Sequence, residues 1–383
     1  MSKRFIIIKG LSQYDTLRVF SDQIKNELEK LGNIVTVFDL TDKNVTQTIQ
    51  AEVNNKVDGI ISFNGIGVET KINGMYLSEF FDTRFYAYIV DHAMRHVSRI
   101  EVPMNNMNVI AVDYDHCCYV NEYIKSVTNS YMIPLGGMEA DVKVPFDDRS
   151  IDVLFTGSYV NPAENLKQLE GHSDIIKNVA YGEIDCMLNN SGLSEEEAFY
   201  KYFNDNNLSE MCDAIQDFMI ELVEIDSYVR NYRRHRLIET IVNAGIKINV
   251  YGNGWENFKC ENRENLIIGS AVNYYENLNL MANSKIVLNI MPEFKKGTHD
   301  RVFCAMLNKA VCLTDKSTYN VENFTDGEDI VFYDVDNMAE LPNIINWILN
   351  DTELAKKIAL KGYENADKNH RWSNRVEAFL ETL

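Results

Sequence analysis

Short apolar runs separated by longer helix-compatible stretches recur along this 383-residue chain, and that rhythm limits the fold more than any other feature. Residues 4–9, 34–40, 58–63, 85–90 and 108–112 each read as a β-strand rich in Ile, Val, Phe and Tyr. Residues 14–31 fit an amphipathic helix with Ser12 as a candidate N-cap, and a second helix fits near 45–54. Strand and helix in alternation require crossover connections, which build a parallel sheet with helices on both faces. The rhythm breaks at Pro134-Leu135-Gly136-Gly137, and residues 141–149 read as a connection. It resumes with strands at 152–156, 247–251, 266–268, 285–290, 310–314 and 329–333. Residues 161–228 are polar, helical and too long for one crossover, so they read as a helical insertion. A basic helix over 228–244 follows, and 341–383 reads as helical throughout. The expected architecture is therefore α/β: two Rossmann-like doubly wound domains, 1–146 and 147–365, facing a central cleft, with a closing helix over 366–383.

Charge removes some function classes. With 57 acidic and 37 basic residues the formal charge is −20, so a phosphate backbone or an anionic membrane is a poor partner. A small anion needs only a local positive pocket. The acidic stretch 194–197 reads as a solvated face. The longest apolar runs, 5–8 and 286–290, are far too short to cross a bilayer. No signal-peptide pattern follows Met1, and the seven cysteines lack metal-ligand spacing. The expectation is a cytoplasmic protein with reduced thiols, no metal, no cofactor and no nucleic acid.

Ligands of doubly wound sheets bind at the carboxyl ends of strands, so the residues just after each strand matter most. The richest segment runs Asn289-Ile-Met-Pro292-Glu293-Phe-Lys295-Lys296-Gly297-Thr298-His299-Asp300-Arg301-Val302-Phe303. A buried strand ends, a loop carries two lysines, and a helix begins near His299. Free N–H groups and the positive dipole end favour an anion there. Lys296, His299 and Arg301 add cationic donors. Arg301 in a first helical turn opposes the dipole, a conflict an anion would relieve. The competing reading is a capped surface helix whose basic residues pair with Asp300 or Glu293. Gly157-Ser158 and Tyr251-Gly252-Asn253-Gly254-Trp255 are glycine-bearing turns after strands, suited to close approach of a phosphate or simply to tight turns. Asp91 and His92 follow a strand and could form a carboxylate-oriented base, with His96 and His116 as further candidates. Asp113 and Asp115 have DxD spacing but read as loop caps, and Arg230–Arg236 reads as a solvated helix face.

These segments resemble bacterial glycosyltransferases. His299-Asp300-Arg301-Val302-Phe303, Met306-Leu307-Asn308 and Ala310–Asp315 look like the C-terminal half of the group-1, CgeB-like enzymes, including clostridial flagellin glycosyltransferases. Asp152–Tyr159, Tyr251–Trp255, Asp326–Asp329 and, in the first half, Tyr88–His92, Asp113–His116 and Ile133–Gly137 also fit. Cys304 stands near where that family often carries a donor-contacting glutamate. The resemblance implies a GT-B fold and a closing helix that returns to the first domain. It implies a nucleotide-sugar donor, such as UDP-GlcNAc, in the second domain at Gly157, Ser158, Tyr251, Gly252, Gly254, Trp255, Lys296, Thr298 and His299 to Phe303. It implies an acceptor hydroxyl on the first domain, of a glycan or a protein such as flagellin, activated by Asp91 and His92 in metal-independent transfer. A sugar-nucleotide epimerase and a silent sugar-nucleotide-binding protein are the alternatives.

Overall fold

The computed structural model describes residues 2–291 and 294–383. The chain divides into two compact units, Met1–Gly136 with Asn369–Leu383, and Gly137–Lys368.

The first unit is built on β1 (Arg4–Lys9), β2 (Ile34–Asp39), β3 (Gly59–Phe63), β4 (Phe85–Ile89), β5 (Met107–Ala111) and β6 (Val127–Met132). Their order is β2-β1-β3-β4-β5-β6 and every pairing is parallel. All residues of β3, β4 and β5 are buried, the mark of strands covered on both faces. β6 was not expected from the sequence. Its run Val-Thr-Asn-Ser-Tyr-Met is polar because it is an edge strand with half-exposed side chains. The helices are α1 (Thr16–Lys30), α2 (Val45–Glu52) and α3 (Tyr114–Tyr123). α1 starts two residues later than expected, because Tyr14 and Asp15 are left-handed at φ 55° and 57°.

The second unit carries β7 (Ile151–Thr156), β8 (Ile248–Tyr251), β9 (Leu266–Gly269), β10 (Ser284–Leu288), β11 (Val311–Asp315) and β12 (Val331–Tyr333). The parallel order is β9-β8-β7-β10-β11-β12. The strand order reverses between β7 and β10, which makes the crevice beyond their carboxyl ends the natural ligand position. Between β7 and β8 lie α4 (Pro162–Lys167), α5 (Asp174–Asn189), α6 (Glu195–Asp205), α7 (Ile215–Glu221) and the crossover helix α8 (Glu224–Asn243). The inserted helices have a core of their own, in which Phe203 packs on Phe199 and Phe218 at 5.9 and 5.4 Å between ring centroids. Ser194 opens α6 with a capping box, accepting from Glu197 N while Glu197 accepts from Ser194 N. Ser194 and Glu195 are buried, so this stretch is not the solvated acidic face expected. The remaining helices are α9 (Tyr274–Ala282), α10 (Asp300–Leu307), α11 (Thr318–Asn323), α12 (Leu341–Asn350), α13 (Thr352–Asn369) and α14 (Trp372–Leu380).

α14 belongs to the first unit. Phe379 meets Phe5 and Tyr86 edge-on at 5.8 and 5.0 Å, and Trp372 packs on Phe20 at 5.2 Å. The connection after Gly137 belongs to the second: Met138 N donates to Cys304 Sγ and Ala140 N to Asn308 Oδ1 at 2.8 Å. The sequence reading placed these residues in the first domain. No described helix is long and apolar enough to cross a membrane.

Candidate functional site

The two glycine turns of the second unit are stitched together at the carboxyl ends of β7 and β8. Gly157 N donates to Tyr251 O and Tyr159 N to Asn253 O, both at 2.8 Å. A Cβ on Gly252 (φ 148°) would sit 2.4 Å from Gly157 O, and one on Gly254 (φ 87°) would sit 2.1 Å from Tyr159 O. Only glycine permits that closeness. Trp255 Nε1 donates to Gly157 O at 2.8 Å, and its ring is fully buried against Tyr159 at 5.2 Å. Trp255 therefore props the turn from inside and offers no surface to a ligand, correcting its placement among the donor contacts. Gly157, Ser158, Tyr251, Gly252 and Gly254 keep partial exposure.

The basic helix supplies a residue that the sequence reading passed over. Arg234 donates to Ser158 O and lies over the Phe155 ring at 5.5 Å. Arg233 is buried and donates to Met187 O. Neither belongs to a solvated face. The available signal was the unbroken apolar ladder Leu237, Ile238, Ile241, Val242, which turns one side of α8 into the core and carries Arg233 with it.

Beyond β10, Pro292 and Glu293 lie outside the described residues, so the pairing of Arg301 with Glu293 does too. His299 is the N-cap of α10. Its Nδ1 lies 2.7 Å from Asp300 Oδ1 and 3.1 Å from Arg301 N. One ring nitrogen cannot donate to the first and accept from the second. The two contacts compete for Nδ1: protonated it donates to Asp300, and unprotonated it accepts from the Arg301 amide as the helix cap. Tyr274 Oη donates to Asp300 Oδ2 at 2.8 Å. Burial alone would raise the Asp300 carboxyl, but His299, Tyr274 and Arg301 together hold it below its usual range. Asp300 is thus a buried carboxylate that orients the His299 ring. Arg301 Nη1 donates to Asn289 Oδ1 at 2.5 Å, and Asn289 in turn donates to Thr314 Oγ1 at 3.0 Å. The described hydrogen bond of Arg301 therefore goes to a neutral amide at the end of β10.

Other donor-site expectations are corrected. Val302 and Phe303 are fully buried and Thr298 nearly so, because they lie on the faces of α10 and its lead-in that turn to the core. Lys296 pairs with Glu197 of the insertion at 3.6 Å, and Lys295 Nζ donates to Ser191 O. Ser191 Oγ donates to Asp336 at 2.6 Å. The link between α5 and α6 thus rests on the loop before α10 and on the segment after β12.

In the first unit, Asp91 follows β4 and is 43% exposed at its side chain. Its Oδ2 accepts from Asn64 Nδ2 at 3.2 Å and lies 3.4 Å from His96 Nε2. Asn64 also accepts from Val90 N at 2.9 Å, fixing β3 to β4 at their carboxyl ends. His92 turns inward. It is buried, its Nδ1 accepts from Met94 N at 3.2 Å, and its ring meets His116 at 4.4 Å. A carboxylate–imidazole contact is made by Asp91 with His96. Asp113 caps α3 by accepting from Asp115 N at 2.7 Å, which is a cap's geometry.

A glycosyl transferase-like family model matches residues 233–381, from within α8 to just past α14. No curated relative matches the chain by sequence. Similar solved structures include the T4 phage β-glucosyltransferase with UDP-glucose, at TM-score 0.59 and 13% identity over 99% of this chain and 98% of that one. Sucrose-phosphate synthase of Thermosynechococcus elongatus aligns at 0.55 and 10% over 99% and 98%. HepE of Anabaena with UDP aligns at 0.53 and 13% over 99% of both chains. Two parallel six-stranded sheets in these orders, aligned along their length with those enzymes, give the chain the GT-B fold of glycosyltransferases.

Proposed function

We propose that this protein is a glycosyltransferase that moves a sugar from a UDP-sugar to an acceptor hydroxyl. The observation that carries the reading is the meeting, at the strand-order reversal of the second sheet, of two elements suited to a diphosphate. One is the Gly157–Gly252 turn pair after β7 and β8. The other is the amino end of α10 after β10, with His299, the Arg301 amide and the Arg301 guanidinium. The glycosyl transferase-like match over residues 233–381 covers the second of these, and the UDP-bound neighbours support the choice of nucleotide.

In the proposed reaction the acceptor oxygen forms a bond to the anomeric carbon as the bond to the β-phosphate oxygen breaks. The charge released on UDP is met by the α10 amides and by Arg301. The acceptor proton passes to Asp91, the exposed carboxylate held by Asn64 and His96. No step needs a metal ion. The narrower reading, UDP-GlcNAc and a serine or threonine of a surface protein such as flagellin, is supported by the sequence resemblance alone. One similar solved structure is of a DNA-modifying β-glucosyltransferase, but a formal charge of −20 argues against DNA as acceptor here.

Calorimetric titration with UDP, UDP-glucose and UDP-GlcNAc, followed by transfer assays on hydroxyl acceptors, tests the reading. Saturable UDP binding with release of UDP on transfer is expected. Interconversion of the donor sugar without any acceptor would replace it with an epimerase, and absence of nucleotide binding would end it.

A further inference from the structure

The second unit has another cavity, of about 370 Å³, at the opposite edge of its sheet. Its walls come from the segment before β7, the turn before β10, the end of α10 and the face of α13, among them Pro145, Phe146, Ala282, Leu307, Leu360 and Tyr363. These positions precede β7, β10 and β11, whereas the diphosphate position follows β7 and β10. Strands of five or six residues separate the two edges, roughly 15–20 Å at a strand's rise per residue. The volume lies within the range of small-ligand pockets.

Its lining departs from the character of the chain. Four cations, Lys143, Arg149, Lys309 and Lys356, face one carboxylate, Glu139, in a protein with an excess of acids. Arg149 is buried, and its hydrogen bonds run to the carbonyls of Val144, Ser284, Asn308 and Lys309, none of them a formal charge. Burial pushes its guanidinium down to about 10. Lys143 pairs with Glu139 and Lys356 with Asp147 and Glu353, but the last two carboxylates are 62% and 87% exposed and screen weakly. Two of the cations lie on aromatic rings, Lys309 over Tyr363 at 4.5 Å and Arg149 over Phe146 at 5.2 Å. Lys309 holds φ 54° at the end of α10, a position where glycine or asparagine is usual. A lysine kept there against local preference, with its ammonium on the cavity wall, is the kind of conflict that marks a site.

We infer that this cavity binds a small organic anion with a ring-sized apolar body, the body lying against Phe146, Leu307, Leu360 and Tyr363 and the charge meeting Lys309 and Arg149. The inference is independent of the proposed transfer reaction.

The test uses the full chain and the aromatic sulfonate 1-anilinonaphthalene-8-sulfonate as probe, read by fluorescence. Saturable binding is expected, unchanged by excess UDP. Lys309→Gly removes the ammonium and suits the left-handed backbone, so it should fold at least as well as the parent. Leu360→Asp places a carboxylate on the apolar wall at a residue already 49% exposed. Each should weaken the probe by about fivefold, the upper range for a partly exposed charge, with the melting temperature kept. Absence of saturable binding, displacement by UDP, or affinity untouched by both substitutions would overturn the assignment.

Discussion

Replacing Arg301 by alanine should produce two separable losses, and the structure sets the size of each. Asn289 is fully buried, and Arg301 Nη1 is the donor to its Oδ1. Removing the guanidinium leaves that amide oxygen without this donor, a cost of about 1–3 kcal/mol. For a unit of this size, each kcal/mol corresponds to roughly 2–4 °C in melting temperature. A measurable fall in Tm is thus expected, although Arg301 looks like a first-turn surface residue in the sequence. The second loss is in nucleotide affinity. If Arg301 meets a diphosphate oxygen, deletion of that charge-assisted contact removes about 1.5–3 kcal/mol, roughly ten- to a hundredfold in the UDP dissociation constant. Arg301→Lys restores charge without the planar fork and should recover part of the affinity. Calorimetry with UDP and thermal melting on the same preparations separate the effects. Arg301→Ala protein that melts earlier yet binds UDP as tightly as the parent would make Arg301 a strut for Asn289 and refute its role at the diphosphate.

Asp91→Asn should lower kcat by about 10²–10⁴ while leaving UDP affinity unchanged; equal activity would remove Asp91 as the base. Transfer should survive EDTA, and loss restored by manganese would contradict a metal-independent step. Glu183 in α5 is fully buried, and neither carboxyl oxygen has a hydrogen-bond partner among the described residues. Burial and then the charge of Asp226 raise it well above the usual carboxyl range. The folded state then binds a proton that the unfolded state releases, so the stability this group contributes is fully present below the unfolded value near 4.3. It is lost as pH rises toward the folded value. Glu183→Gln should therefore melt higher than the parent at pH 8, with the gap closing toward pH 5; a gap independent of pH would refute the reasoning.

The strands most legible in the sequence were those covered on both faces. β3, β4 and β5 bury every residue, and burial on two sides leaves a continuous apolar run that no surface helix would carry. β6 escaped because an edge strand packs one flank only, so Thr128, Asn129 and Ser130 cost nothing there. The turn carrying Tyr14 and Asp15 escaped because tyrosine seldom adopts a positive φ and aspartate, which tolerates it better, is equally common in a first helical turn. Contacts between distant segments were the least legible. Arg234 reaches Ser158 across 76 positions, and the short helical turn after β4 brings His96 to Asp91 while His92 meets the ring of His116.

The same geometry explains why the richest motif supplies fewer ligand contacts than its length suggests. A helix returns to the same face only every three or four residues, so an unbroken run from Thr298 to Phe303 cannot all face one ligand. Val302 and Phe303 go to the core, and Asp300 turns inward to Tyr274 and holds the cap. What remains at the end of α10 is His299, the amide of Arg301 and the arm of Arg301. That set is smaller than the motif. Asp300 orients His299, and the hydrogen bond of the guanidinium goes to the neutral amide of Asn289, anchored to Thr314. An arginine held by a neutral amide keeps its charge for an arriving anion, whereas one locked to a carboxylate would have to break that pair first. The Asn289–Thr314 bond at the ends of β10 and β11 is therefore the element of the second sheet that most directly prepares Arg301 for a diphosphate.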